Sequence, residues 1–157
     1  MYDGLADFAV QTLNAVSDDG LVLLSGGNSP RLFLPRIFAA VPASNLTWSV
    51  SDERCVPPAH DASNYGMIRG LECAPIDQLR PLYTPEKHAR NPIWTDYTCY
   101  PMAILGFASD GHTCSIFADS EVAKMATDLN ADRLYFENIT KEGEAFKRMT
   151  FGFSMLS

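Results

Sequence analysis

The sequence predicts an α/β fold, a mostly parallel sheet with helices on both faces. Two observations predict it. Short apolar runs, Leu21–Leu24, Leu46–Val50 and Met102–Leu105, alternate with helix candidates. That is the order expected when parallel strands are joined by covering helices. Each run also passes straight into a polar loop: "SGGNSP", "SDERCVP" and "ASDGHTCS". In open α/β sheets ligands gather beyond the carboxyl ends of the strands, so these loops define the candidate site.

The elements follow in chain order. Residues 3–16 place Leu5, Phe8, Ala9, Leu13 and Val16 on one helical face. "GLVLLSGG" reads as a buried strand running into a glycine turn. "SPRLFLPRIFAA" reads as a helix, with Ser29 as its cap and Pro30 at its first position. Pro35 predicts a kink or an early end, because proline lacks the N–H and crowds the preceding turn. Leu46–Val50 is the second strand, and a helix starts near Ser63 in "DASNYGMIRGLE". Residues 74–100 are rich in turn formers and are the least readable part. After the third strand, residues 119–130 read as helix and "RLYFENI" as strand. In "MTFGFSML", Met149, Phe151, Phe153 and Met155 point one way and Thr150, Gly152 and Ser154 the other. That apolar face needs a cover, which predicts self-association through Met149–Leu156. No repeat or linker divides the chain, so residues 1–157 are expected to form a single domain.

Composition narrows the function classes. The 157 residues are 46% hydrophobic and 20% charged, which is a globular balance. No apolar stretch reaches the roughly 18 residues of a membrane helix. The opening "MYDGLADFAV" has no basic segment before an apolar one, so no signal peptide is expected and the protein reads as cytoplasmic. A net charge of −7 argues against nucleic acid as a partner. An anionic ligand would need local cations to overcome the overall field. Cys55, Cys73, Cys99 and Cys114 are widely spaced, with no C-x-x-C pair. Reduced thiols are expected, and no zinc site.

Each loop supports a chemical reading and a plainer one. In "SGGNSP", Gly26 and Gly27 would let main-chain N–H groups converge on a phosphate, with Asn28 and Ser29 adding side-chain donors. A simple βα turn would look similar. In "SDERCVP", Arg54 could grip phosphate with its planar fork, while Asp52 or Glu53 could orient a base or a sugar hydroxyl. The competing reading is a solvated charge run. In "SDGHTCS", His112 is a candidate general base, since imidazole changes charge near neutral pH. Asp110 is expected to shape the loop rather than touch the ring. Gly111 leaves room for a substrate and a free main-chain N–H. Here too an Asp-Gly turn with an incidental histidine is open. Cys114 and Ser115 are weighed as nucleophiles, but neither sits in a nucleophile elbow. His60 and His88 read as surface residues.

Together the stretches "LSGGNSP", "SDERCVPPAHDASNYGMI" and "LGFASDGHTCSIF" resemble the 6-phosphogluconolactonase family, within the group that includes glucosamine-6-phosphate deaminases and isomerases. "KRMTFGFSML" is similar to a further strand of that family. Asp52-Glu53-Arg54 and "DGHTCSIF" resemble the lactonase branch rather than the deaminase branch. Ala108 and Cys114 depart from the family's usual glycine and alanine. The resemblance covers nearly all of this chain and part of a standard member, whose pattern continues beyond the last matching strand.

The resemblance implies a Rossmann-like sheet, no catalytic metal or organic cofactor, and hydrolysis of 6-phospho-D-glucono-1,5-lactone in the pentose phosphate pathway. It implies that Gly26, Gly27, Asn28 and Ser29 line the phosphate or sugar site. Arg54 and Arg148 would neutralise phosphate, His112 would take a proton from the attacking water, and Asp52 and Asp110 would be its acidic surroundings. Gly111 would offer a main-chain donor to the oxyanion. Lys141 or Lys147 would stand in for a phosphate-binding lysine. The alternatives are an amino-sugar phosphate deaminase or isomerase, with Asp52 as base, and a sugar-phosphate-binding protein without catalysis.

Overall fold

A computed structural model describes residues 2–41, 45–85, 97, 99–118, 120–128, 135–140 (backbone only), 143 and 145–153. Its helices are α1 (Asp3–Asn14), α2 (Pro30–Ala40), α3 (Asn64–Arg69) and α4 (Glu121–Ala126). Its strands are β1 (Gly20–Leu24), β2 (Leu46–Val50), β3 (Asp52–Arg54), β4 (Met102–Ile104), β5 (Tyr135–Thr140) and β6 (Lys147–Phe151).

The three apolar runs form one parallel sheet in the order β2-β1-β4. Leu24 pairs with Val50 on one side and Ile104 on the other, so the strands end together and their loops leave from one edge. All five residues of central β1 are buried, which is why it is apolar without alternation. The open edge of β2 is covered by a short segment: Trp48 N–H donates to Gln78 O at 3.0 Å, and Arg80 N–H to Trp48 O at 2.8 Å.

A second sheet, β3-β6-β5, is antiparallel. It was not foreseen, since residues 52–54 read as loop. Ser51 is the seam between the sheets. Its N–H donates to Leu24 O of β1 at 2.9 Å, and its carbonyl accepts from Phe151 N–H of β6 at 3.1 Å. One extended chain thus leaves the first sheet and enters the second within a single residue.

Several local expectations change. α1 turns Ala6, Ala9 and Leu13 inward and leaves Phe8 63% exposed and Leu5 38% exposed. The small alanines let α1 lie close to its neighbours, where the larger side chains of the expected stripe would not fit. Pro35 does not end α2, which runs on to Ala40. An interior proline costs about 3 kcal/mol. Burial of Phe33, Leu34, Ile37 and Phe38 offsets it, at about 1.5–3 kcal/mol each. Ser29 is not a side-chain cap; its hydroxyl accepts instead from Tyr2 Oη–H at 3.1 Å. Ser63 does cap α3, accepting from Gly66 N–H at 2.9 Å.

In β6, Arg148, Met149, Thr150 and Phe151 are all buried, so both faces of the strand are covered. Met149 and Phe151 join the main core within this chain. Met155 and Leu156, the rest of the predicted self-association face, lie outside the described residues. Among the described residues no helix is long and apolar enough to cross a membrane.

Candidate active site

The site begins with β3. Its side chains alternate, so Asp52 and Arg54 share one face and Glu53 takes the other. Glu53 is a structural pin. Its carboxylate accepts from the main-chain N–H of Arg54, Asn64 and Tyr65 at 2.7–2.8 Å and from Ser63 Oγ–H at 3.0 Å. Burial pushes its carboxyl up, and these donors pull it back towards the charged form. The expectation that Glu53 could orient a base or a sugar hydroxyl fails, because its oxygens are committed to fastening α3 to β3.

The opposite face carries the charges of interest. Register pairs Arg54 directly with Arg148 and Asp52 with Thr150 across the β3–β6 ladder. Cross-strand partners share a face, and like charges placed opposite each other repel. Arg148 is 5% exposed, with its guanidinium carbon 5.6 Å from the centre of the Phe117 ring. Its Nη1 lies 3.9 Å from Asp52 Oδ2 and 3.4 Å from Ser115 Oγ. Two guanidinium groups thus share one face of the β3–β6 ladder with the Asp52 carboxylate, a local excess of positive charge on an acidic chain.

Asp52 is 5% exposed and accepts from Ser115 Oγ–H at 2.6 Å. Desolvation pushes its carboxyl above the usual range, opposed by that hydroxyl and by the charges of Arg54, Arg148 and His112. Ser115 is also tied to β6, its N–H donating to Thr150 Oγ1 at 3.1 Å. Ser115 thus clamps the third loop onto both strands, and it has no exposed surface. Neither it nor Cys114 is placed as a nucleophile: burial and the Asp52 charge push the Cys114 thiol up to about 11.

The third loop folds back on itself. Ala108 N–H donates to His112 O at 3.0 Å and Thr113 Oγ1–H to Gly106 O at 2.8 Å. Gly111 adopts φ +85°, which favours glycine. Its N–H is not free, as expected from the sequence, but donates to Ala108 O at 2.9 Å. Gly111 therefore shapes the turn and does not supply an oxyanion donor. Asp110 reaches the imidazole after all: its Oδ1 lies 2.5 Å from His112 Nδ1. The ring packs 4.8 Å from Phe117, the same ring that carries Arg148. A carboxylate on Nδ1 fixes the tautomer that leaves Nε2 as proton acceptor.

The first loop joins through Asn64, a residue the sequence reading quoted without assigning it a role. Its side chain is buried between Gly26, Asp52 and Arg54. Ser25 of the same loop approaches Gly106, where an added Cβ would stand 3.0 Å from its hydroxyl. Gly27 takes φ +96° and is exposed with Asn28 and Ser29. The three loops are therefore brought together, with Gly26 linked to Arg54 through Asn64, and His112 linked to Arg148 through Phe117. Lys147 is exposed at the start of β6, while Lys141 and His88 lie outside the described residues. His60 is an exposed loop residue, its Nδ1 accepting from Ala62 N–H at 3.0 Å. Among the described residues no group of three His, Cys, Asp or Glu side chains could hold a metal ion.

A cleft of about 450 Å³ lies beside the third loop, between Phe107, Gly111, Ile116, Lys124 and Phe153. It is mostly apolar, and the paired arginines of the β3–β6 face lie outside it.

Comparison with known proteins identifies the family. The family described as "Glucosamine-6-phosphate isomerases/6-phosphogluconolactonase" matches residues 1–157. The chain belongs to this family. Among curated relatives, the 6-phosphogluconolactonase of Treponema pallidum is 33% identical over 60% of this chain and 47% of its own length. That of Pseudomonas aeruginosa is 29% identical over 82% of this chain and 59% of its own. The chain thus spans about half to three-fifths of the length of these relatives. Among solved structures, a 6-phosphogluconolactonase from Shewanella baltica superposes with a TM-score of 0.79 at 23% identity, covering 98% of this chain and 70% of that one. The Thermotoga maritima 6-phosphogluconolactonase gives 0.73 at 24%, over 100% and 77%. These likenesses establish the Rossmann-like α/β fold of the family.

Proposed function

We propose that this chain carries the sugar-phosphate-binding and proton-transfer machinery of a cytoplasmic 6-phosphogluconolactonase. Its reaction is hydrolysis of 6-phospho-D-glucono-1,5-lactone to 6-phosphogluconate in the pentose phosphate pathway. The observation that supports this best is the meeting of an Arg54–Arg148 pair with a His112–Asp110 pair through Phe117. One pair suits a phosphate and the other a water.

In this reading Arg54 and Arg148 hold the phosphate, and the Gly26–Ser29 loop holds the sugar, so that the lactone carbonyl faces His112. His112 Nε2 takes a proton from water as its oxygen attacks the carbonyl carbon. Asp110 holds the ring and stabilises the imidazolium that forms. The tetrahedral intermediate then collapses, the ring C–O bond breaks, and the proton passes from the imidazolium to the leaving oxygen. Asp52, next to Arg148 and clamped by Ser115, sets the position of the arginine face.

The test is a lactone hydrolysis assay on purified protein with the spontaneous rate subtracted. Turnover of the phosphorylated lactone above background supports the reading. Ammonia release from glucosamine 6-phosphate without lactone hydrolysis would replace it with the deaminase reading. Binding of 6-phosphogluconate without either activity would leave a binding protein.

A further inference from the structure

Asn64 lies where the first and second loops meet, between Gly26 and Arg54. Its side chain is 4% exposed in total, and each polar atom of its amide has an assigned neighbour. Nδ2 donates to Asp52 O at 2.8 Å and lies 3.5 Å from Asp52 Oδ1. Oδ1 accepts from Arg54 Nη1. The amide also fills the volume a side chain at position 26 would need: a Cβ on Gly26 would stand 2.0 Å from Oδ1 and 2.2 Å from Cγ. The main-chain N–H of Asn64 is fastened to Glu53 Oε1 at 2.8 Å, so the residue is held at both ends.

The chemistry of this contact is specific to an amide. Turning it over would aim NH₂ at a guanidinium and oxygen at a carbonyl, opposing like with like at both ends. A carboxylate in its place would also accept from Arg54, but it would neutralise the arginine and meet the Asp52 carbonyl with no donor. A neutral acceptor holds the guanidinium by one N–H and adds no negative charge to that of Asp52. We infer that Asn64 is the positioning residue for Arg54, aiming its guanidinium at an anion beside the Gly26 loop. This deepens the proposed function and rests on its view of Arg54 as an anion-binding group.

The experiment is calorimetric titration of inorganic phosphate and of 6-phosphogluconate into wild type, Asn64→Asp, Arg54→Gln and the double variant. Loss of a charge-assisted contact should weaken phosphate about tenfold or more in Asn64→Asp. Asn64→Asp should add little further in the Arg54→Gln background, because the residue acts through Arg54. Gly26→Ala, which presses on the same amide from the other side, should reproduce the weakening and serves if Asn64→Asp does not fold. Full phosphate affinity in Asn64→Asp and Gly26→Ala, additive losses in the double variant, or no phosphate binding by wild type would each overturn the inference. Phosphate binding with these losses, alongside no lactone hydrolysis by wild type, would leave the inference standing and remove the lactonase reading.

Discussion

Ser115 donates its hydroxyl hydrogen to Asp52 across 2.6 Å, and both side chains are sealed from water. The bond joins the histidine loop to the arginine face. Its removal would leave a buried carboxyl short of a donor, which costs about 1–3 kcal/mol. Ser115→Ala should therefore lower the urea midpoint by the equivalent of that amount. It should also depress turnover, since both His112 and Arg148 lose their anchor. A variant as stable as wild type would show that the clamp carries no weight.

Asp52 carries a pH signature. Desolvation raises its carboxyl in the folded chain, against the pull of Ser115 and of the neighbouring Arg54, Arg148 and His112. A carboxyl raised in this way favours folding while protonated, and that advantage disappears as pH climbs through the raised value. Asp52→Asn bears no such proton. Its stability relative to wild type should rise from acid towards neutral pH, measured as paired unfolding curves at each pH. A flat difference would mean that Asp52 is not strained by burial. Activity should fall in the same variant, because the arginine face loses its counter-charge.

The His112–Asp110 contact separates turnover from binding. His112→Asn should reduce kcat by about 10²–10⁴-fold, the usual contribution of a general base. Asp110→Asn should cost less, about 10–100-fold, as an orienting partner. Affinity for 6-phosphogluconate should stay within a few-fold in both, because the proposed phosphate contacts, Arg54 and Arg148, lie on β3 and β6. Retention of most turnover by His112→Asn would remove it as the base.

Thiol chemistry should follow burial. Cys73 is exposed, while Cys114 is 7% exposed with its thiol pushed up to about 11. Under native conditions at neutral pH, Cys73 should react with an aromatic disulfide reagent first and Cys114 last. In denaturant the two should become equivalent. Fast native labelling of Cys114, located by peptide mapping, would contradict its placement.

Much of this arrangement was legible before any coordinates. The run at Leu21 is unbroken because the central parallel strand is buried on both faces, and the polar ends of the runs at Leu21, Leu46 and Met102 mark the sheet edge. Pro30 announces a helix start by its fixed backbone angle and Ser63 by its side-chain cap, both local effects. What escaped detection depends on distant partners. Asp52–Arg54 is too short to show a strand period, and it becomes a strand only because β6 arrives beside it. Asn64 and Ser115 are ordinary polar residues until Arg54 and Asp52 surround them. Gly111 looked like a free donor because a turn's own hydrogen bond leaves no trace in composition. On α1, Ala9 and Leu13 were read correctly, but Leu5 and Phe8 were misjudged because periodicity favours large side chains, whereas close helix packing favours the small Ala6.

The seam at Ser51 has a consequence for how the molecule comes into being. β1 and β2 pair across a short stretch of chain, but Asp52 must wait for Thr150, about a hundred residues later. Closing that longer loop adds only about 1 kcal/mol of entropy, yet such distant pairings generally form late. During synthesis, a chain leaving the ribosome can assemble its apolar core while β3 still presents an unpaired edge. An open edge invites pairing with other chains, and charged side chains on it discourage that. Asp52, Glu53 and Arg54 are all charged. These three charged residues therefore first act as guards, keeping a half-made sheet soluble until β6 arrives.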